Sequence, residues 1–92
     1  MGYEFEWDPA KERSNRRKHG VSFDEATTVF ADPFSLNMPD PSHSVSEERF
    51  LALGRSSKAR LLMVAYAERG PRTRLISARK ASPGERHLYD EA

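Results

Sequence analysis

Three apolar segments follow one another in the second half of the chain, RFLALGR, RLLMVAYAER and TRLISARK, with only the short connections SSKA and GPR between them. Their length and their content of leucine, valine and isoleucine are typical of β-strands. Two strands joined by so few residues pair in opposite directions, because a parallel pair requires a long crossover connection. The sequence therefore predicts antiparallel strands over residues 49–55, 60–69 and 73–80.

Capping residues mark a helix near the N-terminus. Asp8 followed by Pro9 is a typical helix start and Gly20 is a typical stop, so we predict a helix over residues 9–19. Ala10 is its one clear apolar contact residue, since the rest of PAKERSNRRKH is polar or charged. Most of its surface is therefore expected to face solvent or to bear charge.

Two further helices begin at capping boxes, in which a serine side chain and a glutamate three residues later satisfy each other's backbone N–H groups. The two pairs are Ser22 with Glu25 and Ser82 with Glu85. The first pair predicts a helix that starts at Phe23 and ends at the Asp-Pro of residues 32–33. The second predicts a short helix over the last residues of the chain.

The remaining strand signals lie in the first half of the chain. EFEWD alternates aromatic and acidic residues with the period of a half-buried strand, and FSLNM is a short strand candidate before a loop rich in proline, serine and acids. The predicted order is one strand, two helices, three or four antiparallel strands and a short C-terminal helix. We therefore expect one α+β domain over residues 1–92, with helices on one side of the sheet and the other face partly open.

Composition excludes several kinds of chemistry. Cysteine is absent, which removes disulfides, thiolate zinc sites and cysteine nucleophiles. The three histidines have no metal-ligand spacing, so we predict neither a metal nor a cofactor. The longest apolar run, residues 61–67, is far too short to cross a membrane, and the N-terminus lacks the order of a signal peptide. We expect a cytoplasmic protein without membrane association.

The net charge of +1 hides a strong separation of charge along the chain. Residues 11–19 hold five Lys or Arg and one Glu, and residues 69–86 hold six Lys or Arg and one Glu. Residues 40–48 hold three acids and no Lys or Arg. This pattern is compatible with a folded basic face, and arginine at this density suits phosphate because its planar fork binds two oxygens.

In the last two strands, alternation gives two faces that are both apolar in the middle of the strand and charged at its ends. Glu68 and Arg69 are predicted at one hairpin, and Arg79 and Lys80 at the start of the C-terminal helix. On the last strand, strict alternation places Leu75, Ser77 and Arg79 on one face and Arg74, Ile76, Ala78 and Lys80 on the other. Within reach of that strand end, the C-terminal helix carries Arg86, His87 and Tyr89.

These residue types can cleave RNA without a metal. The 2'-hydroxyl attacks its own phosphodiester when a base removes its proton and cations hold the developing charge, a route that is closed to DNA. Candidates for the base are Glu68, His19 and His87, and Tyr89 or a histidine can protonate the leaving oxygen. Structural roles fit as well: arginines protect edge strands, His19 favours the helix dipole, and Tyr89 anchors the last helix in the core.

Several stretches together resemble one protein family. FEWDPAK, SNRRKHGVSFDEA, DP, EERF, LGRS and ISARKAS-GER--Y occur in the order and at the spacing of the BrnT family, toxins of type II toxin-antitoxin systems, and span about residues 5–89. The resemblance implies a RelE-like ribonuclease fold and an RNA-cleaving activity that blocks translation. It also implies a partner, a BrnA-like antitoxin with a ribbon-helix-helix domain, in a 2:2 complex that contacts operator DNA through the antitoxin.

The resemblance also implies roles for individual residues. The implied catalytic residues are Glu68, Arg74, Arg79 and Tyr89. Among these, we expect Arg74 and Arg79 to bind phosphate and take Glu68 as a candidate base. The resemblance does not fix which residue donates the proton. The implied RNA-binding residues are Lys18, His19, Arg55, Arg69, Lys80 and Arg86. The chain departs from the family pattern at residues 83–84, where Pro-Gly replaces the usual basic residues.

Two other functions fit the same residues. A non-catalytic module, such as a nucleic-acid-binding or corepressor subunit of an operon-regulating complex, would use the basic face to contact phosphates without cleaving them. A degenerate family member would act as an interaction protein only. RNA cleavage by the purified chain would support the toxin, whereas binding that weakens with salt and yields no products would support the binding module.

Overall fold

The computed structural model describes residues 4–41 and 47–92 of the chain. The elements are, in chain order, β1 (Glu4–Glu6), α1 (Pro9–His19), α2 (Phe23–Thr27), a 3₁₀ helix (Thr28–Ala31), β2 (Leu36–Pro39), β3 (Arg49–Arg55), β4 (Leu61–Arg69), β5 (Arg72–Lys80) and α3 (Pro83–Glu91). Among these described residues, no helix has both the length and the apolar character that crossing a membrane requires.

All five strands join one sheet in the order β1-β5-β4-β3-β2. Strands β2 to β5 pair antiparallel with their neighbours in sequence, as their short connections predicted for the last three. β1 instead pairs parallel to β5, and the helices and strands between them form the long connection that a parallel pair requires. The prediction of an α+β fold is confirmed, with a mostly antiparallel sheet.

Local capping signals start the helices where they were predicted, at Pro9, Phe23 and Pro83. The Asp8 carboxylate accepts from the N–H of Ala10 at 2.9 Å and begins α1. Gly20 ends that helix with a φ of 69°, a left-handed conformation that costs glycine little. Each of these three α-helices therefore begins at a side chain that satisfies a free backbone N–H.

The second helix is shorter than predicted. α2 ends at Thr27, and the chain tightens into the 3₁₀ helix instead of continuing as an α-helix to Asp32. The hydroxyls of Thr27 and Thr28 each donate to the backbone carbonyl three residues back, at 2.7 and 2.6 Å. Such β-branched residues, which bond to their own backbone, are poor helix formers, and this accounts for the early end of α2.

β2 begins at Leu36, two residues later than the sequence indicated. The Asp32 carboxylate accepts from the backbone N–H of Phe34 at 2.9 Å, and the Asp32 carbonyl accepts from that of Ser35 at 3.1 Å. These bonds close a turn after the 3₁₀ helix, so the chain enters the sheet only at Leu36.

The sheet has an apolar cluster on each face. The helix face, covered by α2 and the 3₁₀ helix, buries Val21, Phe23, Ala26, Val29, Ala52, Leu62, Val64, Tyr66, Leu75 and Ala78. The opposite face, termed the open face, buries Leu53, Leu61 and Met63, and the partly buried residues Leu36, Met38, Leu51, Ala81 and Tyr89 pack against them. The expectation that every helix lies on one side is therefore wrong for α3, because Tyr89 packs this helix onto the open face.

A β-bulge changes which residues of β5 share a face. The register between β4 and β5 shifts at Ala65 and Tyr66, which leaves Ile76 as an extra residue opposite β4. Leu75 and Ala78 are consequently both buried on the helix face, although strict alternation predicted opposite faces for them. That prediction is wrong because an inserted residue reverses the alternation beyond it.

The same bulge brings two arginines to the open face. Arg74 lies opposite Ala67 of β4, and Arg79 lies opposite Met63. These two β4 residues are four positions apart, so they share a face, and their cross-strand partners share it with them. The predicted placement of Arg74 and Arg79 on opposite faces is therefore wrong.

Asn15 is the buried residue of α1, and its carboxamide binds three backbone groups. Its Nδ2 donates to the carbonyls of Val21 at 2.9 Å and Ala78 at 2.8 Å, and its Oδ1 accepts from the N–H of Ala78 at 3.1 Å. Among the described strands, β1 covers this edge of β5 only at residues 72–74. The Asn15 amide takes the place of a strand beside Ala78, since it offers the donor and acceptor of a peptide group.

Replacing Asn15 should lower the free energy of unfolding by about 2–4 kcal/mol, because buried backbone groups lose their partners. Asn15→Ala and Asn15→Asp should both show this loss in urea unfolding, since a carboxylate cannot donate to the two carbonyls. Ser14→Ala, at an exposed neighbour, is the control and should change stability by less than about 0.5 kcal/mol. Wild-type stability of Asn15→Asp would contradict the role of the donated bonds.

Candidate nucleic-acid site

A cleft of about 390 Å³ lies on the open face, across β3, β4 and β5. Its apolar lining residues are Leu51, Met63, Ala65 and Ile76, and its polar ones are Asp40, Arg49, Ser77 and Arg79. Alternation in neighbouring strands turns these side chains to the same surface. An apolar floor with two arginines suits a nucleotide, because a base has apolar flat faces and its phosphate attracts cations.

Arg79 is held at the cleft by an ion pair with Glu85 of α3. Its Nη1 and Nη2 donate to the two carboxylate oxygens of Glu85, each at 2.8 Å, and Nη1 also donates to the Lys80 carbonyl at 3.3 Å. These bonds use three of the five N–H donors of a guanidinium. The Nε–H and one N–H of Nη2 have no partner within the described part of the chain, and together they form a fork for two phosphate oxygens.

Glu85 also completes the cap of α3. Its Oε1 accepts from the N–H of Ser82 at 2.9 Å, and the Ser82 hydroxyl accepts from the N–H of Glu85 at 3.2 Å, which confirms the predicted capping box. The hydrogen bond from Arg79 lowers the pKa of Glu85 to about 2, although partial burial acts in the opposite direction. The glutamate that caps the helix is therefore the same one that positions the arginine.

The pair of Arg79 and Glu85 should make stability depend on pH in the acid range. The pKa of Glu85 falls from an ordinary value of 4.5 to about 2 on folding. Its contribution to stability is therefore fully present above about pH 4.5 and is lost as the pH falls towards 2. Glu85→Gln should lower the free energy of unfolding by roughly 1–2 kcal/mol at pH 7, a value reduced by the solvent exposure of Arg79.

Chemical unfolding of wild type and Glu85→Gln from pH 7 to pH 2 measures this effect, and the difference between them should shrink to near zero at the acid end. Glu91→Gln is a matched control on the same helix, because Glu91 is exposed and faces only the exposed His87. A difference between wild type and Glu85→Gln that stays constant over the whole range would show that the ion pair does not contribute.

Arg74 lies on the same face as Arg79, further along β5. Four positions of β4, about 14 Å, separate the residues opposite them. Arg74 is partly buried and donates to the carboxylate of Glu6 at 3.1 Å, and this hydrogen bond lowers the pKa of Glu6. Arg72 lies 3.5 Å from the other Glu6 oxygen. Arg74 is therefore a cation of the open face that lies outside the cleft.

Glu68 and Arg69 lie at the hairpin between β4 and β5, as predicted, and not beside Arg79. Glu68 stands opposite the buried Thr73, whose hydroxyl donates to it at 3.4 Å. Five positions of β4, about 17 Å, separate Glu68 from the residue opposite Arg79, and the odd number places it on the helix face. Arg69 forms an ion pair with Glu47 at 2.8 Å. The structure therefore does not bring Glu68 and Arg79 together.

Tyr89 packs on the open face, against the apolar cluster that includes the cleft residue Met63. Its hydroxyl donates to Oδ2 of Asp32 at 2.6 Å, and the Arg55 guanidinium lies 5.6 Å from the centre of its ring. The bond to Asp32 raises the pKa of Tyr89, so the phenol holds its proton more tightly than usual. Asp32 also accepts from the N–H of Arg55 at 2.8 Å, so the three residues together fix α3 to the sheet.

The other residues predicted to bind RNA are exposed and do not line the cleft: Lys18, His19, Lys80 and Arg86. Lys18 and His19 end α1, and the predicted base candidate His87 lies 3.5 Å from Glu91 on α3. His43, the third histidine, lies outside the described residues. Within residues 4–41 and 47–92, no three His, Asp or Glu side chains group as metal ligands.

Two polar residues of the cleft, Arg49 and Asp40, were not predicted from the sequence. The signal for Arg49 was present, because alternation in RFLALGR places it on one face with Leu51. Asp40 had no such signal. Its N–H donates to the Arg49 carbonyl at 2.8 Å, so its position depends on how the end of β2 lies beside β3, and its side chain is buried.

Comparison with known proteins identifies the family. A family model described as "Ribonuclease toxin, BrnT, of type II toxin-antitoxin system" matches residues 7–85, a range that includes both cleft arginines. The chain belongs to this family. The 1.1 Å crystal structure of the Brucella abortus ribonuclease toxin, BrnT, shares its fold, with a TM-score of 0.64 and 23% identity over 88% of this chain and 99% of that one. No curated protein sequence matches the chain.

Membership of the BrnT family confirms the resemblance drawn from the sequence motifs. This family comprises ribonuclease toxins of type II toxin-antitoxin systems, and a toxin of that type has an antitoxin as its partner. The family match ends at Glu85, the residue that holds Arg79. Tyr89 lies beyond the matched range.

Proposed function

We propose that this BrnT family toxin is a metal-independent endoribonuclease that binds RNA in the open-face cleft and inhibits translation by cutting it. The observation that carries the proposal is the hydrogen bonding of Arg79. Glu85 holds this side chain at the cleft, and two neighbouring N–H donors of its guanidinium stay available for a ligand. Arg49 supplies the second cation of the cleft. Arginine suits this role because its planar guanidinium group can bind two phosphate oxygens at once.

Cleavage at this site would follow the route that only RNA offers. The 2'-oxygen attacks the adjacent phosphorus, its proton passes to a base, and the bond from phosphorus to the 5'-oxygen breaks. The departing 5'-oxygen takes up a proton, so the products are a 2',3'-cyclic phosphate and a free 5'-hydroxyl. Arg79 and Arg49 would stabilise the additional negative charge on the phosphate oxygens in the transition state.

Two carboxylates are candidates for the base, and they lie in different places. Asp40 is buried and lines the cleft. Glu68, the base candidate from the sequence, lies about 17 Å along β4 from the position opposite Arg79 and on the other face. Since a general base must reach the proton it removes, the geometry favours Asp40. His19 and His87 are exposed and lie outside the cleft lining.

Substitution of the two carboxylates should identify the base. We expect Asp40→Asn to lower the rate of RNA cleavage about 100-fold or more, the usual contribution of a general base. Glu68→Gln is measured in parallel on the same fluorescent oligonucleotide, with Glu91→Gln as the control and circular dichroism as the check of folding. A loss of that size for Glu68→Gln, with cleavage by Asp40→Asn intact, would move the base to Glu68.

We propose supporting roles for the remaining residues. Arg74 would bind a further phosphate of the same strand, about 14 Å from Arg79. Tyr89 would contribute indirectly, because its bonds fix the helix that carries Glu85. Further contacts with RNA would come from Lys18, His19, Arg55, Arg69, Lys80 and Arg86.

The antitoxin would be a BrnA-like protein with a ribbon-helix-helix domain, bound in a complex of two toxins and two antitoxins. The complex would contact operator DNA through the antitoxin, and the toxin would act in the cytoplasm. What supports these proposals is membership of a type II toxin-antitoxin family. A short neighbouring reading frame that encodes a ribbon-helix-helix protein would support them further.

The alternative function is a non-catalytic nucleic-acid-binding or corepressor subunit. One observation favours it: Arg79 already donates to Glu85, and Glu68 lies on the other face, so the residues assigned to catalysis from the sequence do not form one cluster. Such a protein would bind RNA with an affinity that falls with salt and would leave the RNA intact.

Expression of the chain without an antitoxin should arrest bacterial growth, with protein synthesis falling first. Arg79→Lys should relieve the arrest and lower the cleavage rate at least about tenfold, because lysine keeps the charge but lacks the fork. Lys58→Gln, at an exposed turn outside the cleft, is the control and should stay toxic.

The purified wild-type chain should cleave RNA equally well with and without EDTA. A harmless wild type that leaves RNA intact under both conditions would contradict the ribonuclease proposal and favour the binding module. Cleavage that EDTA abolishes would contradict metal independence alone.

A further inference from the structure

α1 carries a basic surface that the cleft does not use. Its exposed cations are Lys11, Arg13, Arg16, Arg17 and Lys18, and its one acid is Glu12. α1 packs beside α2, where the Glu12 carboxylate accepts from the N–H of Phe23 at 3.3 Å. The cleft opens on the other face of the sheet. The cations of α1 are therefore additional to those around Arg79.

Helical spacing determines which of these cations point away from the protein. Asn15 marks the side of α1 that contacts β5. Arg13 and Arg17 lie two positions before and after it, which is roughly half a turn away from that side, and Arg16 lies beside them. These three residues, termed the α1 arginines, line a shallow surface groove of about 330 Å³.

The α1 arginines are not all present because they stabilise the helix. Nε of Arg16 lies 3.3 Å from Glu12, whereas Arg13 and Arg17 form no ion pair with any residue that the structure describes. Arg13 and Arg17 are four positions apart, a spacing at which like charges destabilise a helix. The helix dipole favours cations in the last turn, which accounts for Arg17 and not for Arg13.

α1 also holds these cations in a fixed position. The three hydrogen bonds of Asn15 attach the helix to Ala78 and Val21, and the Gly20 carbonyl at its end accepts from Arg60 at 3.1 Å. A surface whose backbone is already ordered loses little conformational freedom when it binds a row of charges on a partner.

We propose that the α1 arginines bind the phosphate backbone of the RNA that the cleft cuts, at nucleotides outside the cleft. This inference rests on the proposed ribonuclease function and adds a second contact surface to it. A cleft of about 390 Å³ with two arginines reaches few phosphates, and the electrostatic part of RNA affinity grows with the number of phosphates contacted. RNA is the partner that fits, because one strand extends past the cleft and the Cα trace measures only 31 × 30 × 26 Å.

The test measures the affinity for RNA in which 2'-O-methyl groups replace the 2'-hydroxyls, so that the strand cannot be cut. Two strands are compared over a range of salt concentrations, one of about 20 nucleotides and one of about 3 that occupies the cleft alone. The test variant is Arg13→Gln/Arg17→Gln, in which glutamine keeps a high helix propensity. The matched control is Lys58→Glu, which lowers the net charge by the same two units at an exposed turn.

For the long strand, the double glutamine variant should reduce the slope of log affinity against log salt by about 1.4, which corresponds to two lost phosphate contacts on a single strand. Its affinity for the short strand should match that of wild type. Lys58→Glu and the charge-preserving Arg13→Lys/Arg17→Lys should keep the wild-type slope. Circular dichroism should show the same helix content in all four proteins.

An unchanged slope and affinity for the long strand in the double glutamine variant would overturn the proposal. A variant that loses affinity for duplex DNA and not for RNA would also overturn it, because operator DNA would then be the partner of α1. Failure of the proposed ribonuclease function has a different signature: α1 would still contribute to binding of the long strand, but wild type would leave unmodified RNA uncut.

Discussion

The side chain of Asn15 makes two hydrogen bonds with the backbone of Ala78 and one with that of Val21, and the two with Ala78 attach α1 to β5. The position of the proposed site depends on this attachment. Among the described strands, β1 covers β5 only at residues 72–74, so the backbone groups of Ala78 would otherwise lack partners on that edge. The carboxamide of Asn15 supplies both partners. Arg79 is the next residue of β5, so the bonds that hold the helix also hold the strand that carries the principal phosphate-binding candidate.

The cleft depends equally on the β-bulge at Ile76 and on the cap of α3. The bulge reverses the alternation of β5, so that Arg79 shares the open face with Arg74. The cap then determines the direction of the Arg79 side chain, because Glu85 bonds to Ser82 and to Arg79 at once. Glu85, which caps the helix, is thus also part of the proposed RNA site. Its bonds to Arg79 leave two N–H donors of that arginine for phosphate.

The arginines of the described chain differ in whether they form an ion pair with an acidic residue of the protein. Several arginines that the sequence assigned to RNA contact or catalysis have an acidic partner, as Arg74 has Glu6 and Arg69 has Glu47. Such partners hold the side chain in place and leave part of its donors for a ligand. Arg13 and Arg17 of α1 lack ion-pair partners among the described residues, and for this reason we interpret them as a surface for a polyanion.

Much of the fold could be predicted because it depends on short-range signals. Asp8, Ser22 and Ser82 cap the helices, and apolar alternation with short connections predicts β3, β4 and β5. The family was also recognised from motifs in the chain. The parallel pairing of β1, the end of α2 at Thr27 and the position of Asp40 could not be predicted, because each depends on residues distant in sequence or on competition between side chain and backbone.

The sequence alone therefore determined where most elements begin, which residues carry charge and which family the chain belongs to. The tertiary structure decided which of those charges meet. It placed Arg74 and Arg79 on one face, added Arg49 to the cleft and put Glu68 on the other face. For Arg79 the physical reason is that a single extra residue in β5 reverses the direction of every later side chain, and only the packing of the complete sheet decides where that residue is inserted. Arg49 joins the cleft because the sheet places β3 two strands away from β5.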